Sequence, residues 1–150
     1  MGDSTSRKYI PLLGDVFLNW VTIRDPQSTT RFVTTPELDL PSEGHYAILR
    51  VQWSCKTIKE LEEGNLLVVD RSPDKSDIHA NDLIVLPISP QLERYKMVKD
   101  ARYYITRHTP SRPLGSEWKV IRVIEKQEST VAHGLEPVDE SDKPESDGSD

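Results

Sequence analysis

The sequence is poor in several kinds of residue, and each shortage excludes a class of protein. Its 150 residues include one cysteine, Cys55, which excludes an intramolecular disulfide and a cysteine-rich zinc finger. The longest apolar runs are four residues, so no segment is predicted to span a membrane. Aromatic residues make up only 7% and hydrophobic residues 35% of the chain, which predicts one domain with a lean core.

The sequence also lacks a pattern for a metal or a cofactor. The four histidines, His45, His79, His108 and His133, are not spaced as metal ligands, and we expect them at the surface. We therefore expect neither a metal site nor a cofactor. Because there is one cysteine, and no long apolar region in residues 1–15 to act as a secretion signal, we expect a cytoplasmic protein.

The net charge of −6 is concentrated at the C-terminus. The last fifteen residues contain seven acidic side chains and one lysine, whereas residues 1–135 contain 18 basic and 18 acidic groups. Because the tail has almost no apolar residues to offset its ordering entropy, we expect residues 127–150 to be disordered, and residues 1–8 to be a flexible N-terminus. The acidity argues against direct binding to nucleic acid.

Short apolar segments between turn residues predict a mostly-β domain. We expect strands at 31–34, 45–53, 65–70, 83–88 and 118–126, a hairpin of 94–100 and 102–108, and a strand pair or an extended arm at 9–23. Residues 56–63 are predicted to form one short helical turn that ends at Gly64. Many short strands at close spacing are typical of a sandwich or a barrel.

The order of several motifs resembles that of the LexA/UmuD-type peptidase domains, which are regulators that cleave themselves with a serine–lysine dyad. The matching segments are "IPLLGDV" (10–16), "RVQWSCK" (50–56), "EEGNLLVVDRS" (62–72), "HANDLIVL" (79–86) and "RYKMV" (94–98). "GNLLVVDRS" is the most specific of them. The resemblance covers residues 9–126 and implies the LexA/UmuD fold of short strands, with residues 9–44 as the arm that carries the cleavage site.

The resemblance also implies a set of site residues. It places the nucleophile at Cys55, with Ser54 as a rival, the general base at Lys96, with Lys99 and Lys56 as rivals, and the cleavage-site-like bond at Leu18 and Asn19. The chain departs from the family pattern at several of these positions. A cysteine replaces the serine, bulky residues replace Ala-Gly at the cleavage site, and asparagine replaces aspartate in Gly64-Asn65. Together these changes indicate a degenerate or redirected member.

Chemistry at these positions has clear requirements. A lysine that acts as a base must be kept neutral by burial, and Lys96 could face inward if Tyr95 and Met97 point to the opposite face of a strand. Cys55 at the start of a helical turn would be favoured as a thiolate by the helix dipole. The other interpretation is that Cys55 is a small, partly buried residue of a former active site. The bulky Leu18-Asn19 argues against efficient autocleavage.

Three functional hypotheses follow. The first is a stand-alone regulatory or accessory protein that acts as a homodimer through Tyr103–Ile124, with an unknown protein partner of the DNA-damage (SOS response) or repressor machinery and without efficient autocleavage. The second is an active self-processing Cys/Ser–Lys peptidase. The third is an unrelated small β-barrel adaptor, which predicts that Cys55 and Lys96 lie far apart. No DNA-binding domain is predicted before residue 9, which favours the polymerase-accessory UmuD form over a repressor.

A basic cluster adds a further candidate surface. Arg102, Arg107 and Arg112 lie in sequence around Tyr103 and Tyr104. Such a cluster can bind an acidic surface or single-stranded nucleic acid. It can equally be the solvated face of a hairpin, or a site on which the acidic tail folds back.

Overall fold

The apolar runs of the sequence form strands in the computed structural model, which describes residues 8–41, 44–127 and 131–138. The strands are β1 Tyr9–Phe17, β2 Trp20–Ile23, β3 Arg31–Thr34, β4 Tyr46–Trp53, β5 Leu66–Asp70, β6 Leu83–Pro87, β7 Tyr103–Arg107, β8 Trp118–Ile124 and β9 Leu135–Pro137. The helices of the described residues are the short α1, Pro90–Glu93, and two 3-10 turns, Pro26–Ser28 and Lys75–Asp77. No helix in this part of the chain has the length and apolarity needed to cross a bilayer.

Seven strands close into a barrel. Their order is β1-β2-β7-β6-β8-β5-β4, and β4 pairs again with β1. β1 and β4 run parallel, with Leu12 opposite Ile48 and Phe17 opposite Trp53, whereas the other neighbours in the barrel are antiparallel. The predicted mostly-β class is confirmed, in the form of a barrel.

Two further strands cover part of the outer face of the barrel. β3 pairs with the first residues of β1, where Phe32 lies opposite Ile10, and β9 pairs with β3. The chain enters β9 through Gly134, which has a φ of 87°. A Cβ at this position would lie 2.7 Å from the backbone nitrogen of Leu38. The left-handed backbone and the close approach therefore both require glycine.

The barrel wall separates two hydrophobic cores. The interior core contains Val16, Val21, Ala47, Leu49, Val51, Leu67, Val69, Val85 and Ile105. The outer core, under β3 and β9, contains Ile10, Leu12, Phe32, Ile48, Val68 and Leu135. Successive side chains of a strand point to opposite faces, so β4 and β5 contribute alternately to both cores. Burial on both faces explains why the sequence of β5, Leu66–Asp70, is a continuous apolar run rather than an alternating one.

The connections lie at two opposite ends of the barrel. One end contains the β1–β2 turn (18–19) and the β4–β5 connection (54–65), and we call it the Cys55 end. The other end contains the β6–β7 connection (88–102), and we call it the Lys96 end.

The register of the β6–β7 hairpin fixes this assignment. Leu83 lies opposite Arg107 at one limit of the hairpin, and Pro87 lies opposite Tyr103 at the other, where the 88–102 connection begins. The guanidinium of Arg107 donates to Glu60 of the β4–β5 connection across 2.7 Å. The two connections are therefore separated by the length of the hairpin.

Two predicted elements are wrong. Residues 94–100 do not form a strand but follow α1 as turns, and only Tyr103–Arg107 of the predicted hairpin is a strand. Residues 56–63 form turns and an isolated bridge between Cys55 and Ile58, not a helical turn. The helix dipole that would favour a thiolate at Cys55 is therefore missing from this segment.

The predicted boundaries also need correction. The strand pair predicted as one alternative for 9–23 is confirmed, since β1 pairs with β2. The arm predicted at 9–44 is part of the fold itself, because β1 and β2 complete the barrel wall and β3 pairs with β1. At the other terminus, Leu135–Pro137 forms β9 inside the segment 127–150 that was expected to be disordered. The remainder of that prediction, at 128–130 and 139–150, and the predicted flexible terminus at 1–7, fall outside the described residues.

Candidate functional site

Cys55 lies at the start of the β4–β5 connection, half-buried against the interior core. Its backbone N–H donates to the carbonyl of Leu61 at 2.8 Å, which folds the connection back on itself. The only hydrogen-bond partner of its thiol among the described residues is the Thr57 hydroxyl, at 3.3 Å. No basic side chain of the described residues hydrogen-bonds to the sulfur.

Lys96 lies at the opposite end of the barrel. It follows α1 in the β6–β7 connection, where its backbone N–H donates to Glu93 at 3.2 Å. Its neighbours Tyr95 and Met97 are 65% and 72% exposed and Lys96 is half-buried, but the segment is not a strand, so no inner face of a sheet receives Lys96.

The barrel therefore keeps the proposed dyad apart. Tyr103 and Arg107, the first and last residues of β7, are about 13 Å apart at the usual rise of a strand. This distance covers the barrel wall alone and does not include the connections that contain Lys96 and Cys55. A nucleophile and its base must lie about 3 Å apart. The rivals Ser54 and Lys99 do not change this result, because Ser54 lies with Cys55 and Lys99 lies with Lys96. The rival base Lys56 lies next to Cys55 but is exposed, so it lacks the burial that such a base requires.

The cleavage-site-like residues are brought to the Cys55 end. Leu18 and Asn19 form the two-residue turn between β1 and β2, and Leu18 adopts a left-handed φ of 62°. The Leu18 N–H donates to the carbonyl of Trp53 at 3.1 Å, and the Asn19 carbonyl accepts from Ile105 at 2.9 Å. Because both backbone groups are bonded to the barrel wall, this bond is a structural turn and not an extended substrate strand.

A cleft beside the Lys96 end has the properties of a ligand site. Its volume is about 950 Å³, within the range of clefts that hold small ligands. It lies between the start of β1, the segment that follows β2, and the end of the β6–β7 connection. The lining residues are Pro11, Leu13, Ile23, Arg24, Asp25, Pro26, Gln27, Thr29, Arg31, Asp100 and Arg102.

The three arginines of this cleft are not equivalent. Arg24 donates to Asp15 at 3.0 Å, and its buried Nε has no hydrogen-bond partner within the described residues. The guanidinium of Arg31 lies 5.6 Å from the ring centre of Tyr9. Arg102 is anchored by its backbone N–H, which donates to Val21 at 2.9 Å. Within the part of the chain that the structure describes, neither Arg31 nor Arg102 has an ion-pair partner.

The floor of the cleft is apolar, and an aromatic ring lies beside one of its arginines. Pro11, Leu13 and Ile23 line it as half-buried side chains. Tyr9 is 64% exposed beside Arg31, and the stacked pair holds the guanidinium in place by a cation–π interaction of about 0.5–1 kcal/mol. Ligand-binding sites in general combine an apolar lining with a few charged or polar groups.

The two ends differ in the charge of their connections. The segments 24–31 and 88–102, which frame the cleft, contain six basic and three acidic side chains, a net charge of +3. The β4–β5 connection at 54–65 contains two basic and three acidic side chains, a net charge of −1. Of these segments, those that frame the cleft therefore attract an acidic ligand more strongly than the β4–β5 connection does.

The basic cluster predicted from the sequence does not form one surface. Arg102 lines the cleft, Arg107 lies at the Cys55 end with Glu60, and Arg112 donates to the Tyr104 hydroxyl at 3.0 Å. The expectation of four surface histidines is also wrong at one position. His108 is buried, and its Nδ1 has no hydrogen-bond partner among the described residues.

The described residues contain no group of three or more histidine, cysteine, aspartate or glutamate side chains that could hold a metal ion. Comparison of the chain with protein-family models finds no match, and searches of curated proteins and of solved structures find none either. The resemblance to LexA/UmuD-type domains therefore stays a prediction, and the functional argument has to start from the geometry of the cleft.

Proposed function

We propose that this protein is a non-catalytic binding module that holds an acidic segment of a partner protein in the cleft at the Lys96 end. The observation that carries the proposal is the placement of Arg31 and Arg102 in one cleft, without ion-pair partners among the described residues. Guanidinium groups bind carboxylates through two parallel hydrogen bonds, each charge-assisted. The apolar floor accommodates the aliphatic part of the same segment.

An acidic peptide suits this cleft better than a nucleic acid does. Asp25 and Asp100 line the cleft together with the arginines, and they repel a backbone that carries a phosphate at every step. A peptide can place separate carboxylates on Arg31 and Arg102 and leave the aspartates opposite neutral groups.

The proposal agrees with the hypothesis that the chain acts through protein–protein contacts. The peptidase hypothesis needs Cys55 or Ser54 to reach a lysine base, and Lys96 lies at the other end of the barrel. We expect the purified chain to keep its intact mass during incubation at alkaline pH. A fragment that begins near Asn19, and that disappears in Cys55→Ala, would reinstate the peptidase.

The homodimer and the role in DNA-damage regulation stay predictions. The surface expected to dimerise lies within Tyr103–Ile124, and both strands of this segment, β7 and β8, already pair on both edges within the barrel. A dimer through this surface would have to use outward side chains, such as the 36% exposed Ile121.

The binding proposal is tested by fluorescence anisotropy with a labelled peptide of alternating glutamate and alanine. We expect the wild-type chain to bind it, and the double variant Arg31→Gln/Arg102→Gln to bind it at least about tenfold more weakly, since each lost charge-assisted bond contributes roughly 1.5–3 kcal/mol. Added salt should weaken binding to the wild type. The same peptide with glutamine in place of glutamate should not bind.

The matched control is Arg122→Gln, which removes one positive charge from the exposed face of β8. It should bind the peptide as the wild type does. Equal binding to the wild type and the double variant would overturn the proposal, as would a complete lack of binding by every form of the chain that keeps Arg31 and Arg102. Tighter binding of a single-stranded oligonucleotide than of the peptide would replace the protein partner with a nucleic acid.

A further inference from the structure

The last described strand, β9, ends beside an arginine of the cleft. β9 pairs with β3, with Pro137 opposite Phe32, and the next residue continues along the same strand. The backbone N–H of Val138 donates to the carbonyl of Arg31 at 3.0 Å. Val138, the last described residue, is therefore bonded to the backbone of one of the two arginines that the proposed function relies on.

The composition of residues 139–150 matches the cleft in charge. These twelve residues contain six acidic side chains and one lysine, a net charge of −5. The two segments that frame the cleft carry a net charge of +3, whereas the connection at the Cys55 end carries −1. The segments that frame the cleft therefore attract residues 139–150 more strongly than the β4–β5 connection does.

Residues 139–150 are covalently joined to β9, so their binding to the cleft is intramolecular. Twelve residues can extend over about 40 Å at most, so every acidic side chain of the segment can reach the neighbourhood of Arg31. A tether of this length gives an effective concentration in the millimolar range. Even a weak individual affinity is then enough for substantial occupancy.

We infer that residues 139–150 act as a built-in competitor for the cleft, so that an acidic partner must displace them before it binds. This inference rests on the proposed function, because it names the regulation of the same site. It predicts that the affinity for an acidic partner depends on the charge of residues 139–150.

The test removes the charge of the segment and keeps its length. In the full chain, the six acids Asp139, Glu140, Asp142, Glu145, Asp147 and Asp150 are replaced with the corresponding amides. We expect this variant to bind the glutamate–alanine peptide at least about tenfold more tightly than the wild type does, a difference of about 1.4 kcal/mol. The control Glu62→Gln/Glu63→Gln neutralises acids at the Cys55 end and should leave the affinity unchanged.

A second measurement does not depend on the peptide. The Nε–H resonances of Arg31 and Arg102 in the NMR spectrum should differ between the wild type and the amide variant, and the difference should not depend on protein concentration. A difference that grows with concentration would indicate the segment of a second copy in the cleft, and would overturn the intramolecular form of the inference.

The outcomes separate the two proposals. If the wild type and the amide variant bind the peptide equally, and their arginine resonances coincide, the competitor is excluded while the binding function stands. If neither form binds the peptide but the arginine resonances differ, the acidic segment occupies the cleft and the proposed partner is wrong. If neither form binds and the resonances coincide, both proposals fail.

Discussion

Arginine side chains have different partners at the two ends of the barrel. At the Cys55 end, Arg107 donates to the Glu60 carboxylate at 2.7 Å and to the Asn81 carbonyl at 3.1 Å. At the Lys96 end, Arg31 and Arg102 line a cleft and have no such partners among the described residues. An arginine bonded to its own chain fixes a loop, whereas one left available above an apolar floor can bind a ligand. We therefore expect substitutions at the Cys55 end to change stability and substitutions at the Lys96 end to change binding.

The largest effect on stability is expected at Asn65. This side chain is 4% exposed, its Nδ2 donates to the Glu60 carbonyl at 3.1 Å, and its Oδ1 accepts from the Lys126 N–H at 3.0 Å. Asn65→Ala leaves both backbone groups without their partner, which should lower the free energy of unfolding by about 2–4 kcal/mol. Urea denaturation followed by tryptophan fluorescence measures this loss.

Asn65→Asp distinguishes the two bonds and tests the resemblance at this position. The LexA/UmuD pattern has aspartate here, but a carboxylate can accept from Lys126 and cannot donate to the Glu60 carbonyl. We expect a loss smaller than that of Asn65→Ala and larger than that of the exposed control Glu62→Gln, which should stay within about 0.5 kcal/mol of the wild type. A stable Asn65→Asp would show that the Glu60 bond does not hold the connection.

The strands were largely predictable because their apolar residues recur in short runs. Runs such as Leu66–Val69 could be recognised as strands, and the structure adds the reason for their continuity, since they are buried on both faces. The predicted strand at 94–100 failed because its alternation lies on the surface, with Tyr95 and Met97 exposed. A local signal against it was present in Ser89-Pro90, in which a serine caps α1 and proline occupies its first position.

The location of the site could not be predicted in the same way. Motif order placed Cys55 and Lys96 in one pocket, but the end of the barrel that each residue reaches depends on which strands pair. The parallel pairing of β1 with β4 and the path of the 71–82 connection are long-range features that no local pattern encodes. The cleft also contains both Arg31 and Arg102, which are far apart in the sequence. No local motif around either arginine indicates a binding site.

A smaller effect on stability is expected at the arginines themselves. Arg107→Gln breaks a partly exposed ion pair with Glu60, which should cost about 0.5–1 kcal/mol, and the cost should shrink as salt is added. Arg102→Gln should change the free energy of unfolding by less than about 0.5 kcal/mol, because its guanidinium has no partner among the described residues. The same denaturation assay at low and high salt compares the two. A larger cost for Arg102→Gln than for Arg107→Gln would make the cleft arginine a structural residue and remove the contrast between the ends.

The smallest expected effect concerns Glu37, a carboxylate outside both the cleft and the β4–β5 connection. The hydroxyl of Thr35 donates to it at 2.6 Å, and this bond lowers the pKa of Glu37 from its ordinary value of 4.5. A depressed pKa in the folded state stabilises the fold above the ordinary pKa, and the contribution disappears as the pH falls through the lowered value. The stability difference between the wild type and Glu37→Gln should therefore be present at neutral pH and vanish in acid. NMR titration of the Glu37 carboxyl carbon checks the cause, since Thr35→Val should move its midpoint upward, and an unchanged midpoint would assign the shift to something other than the hydroxyl.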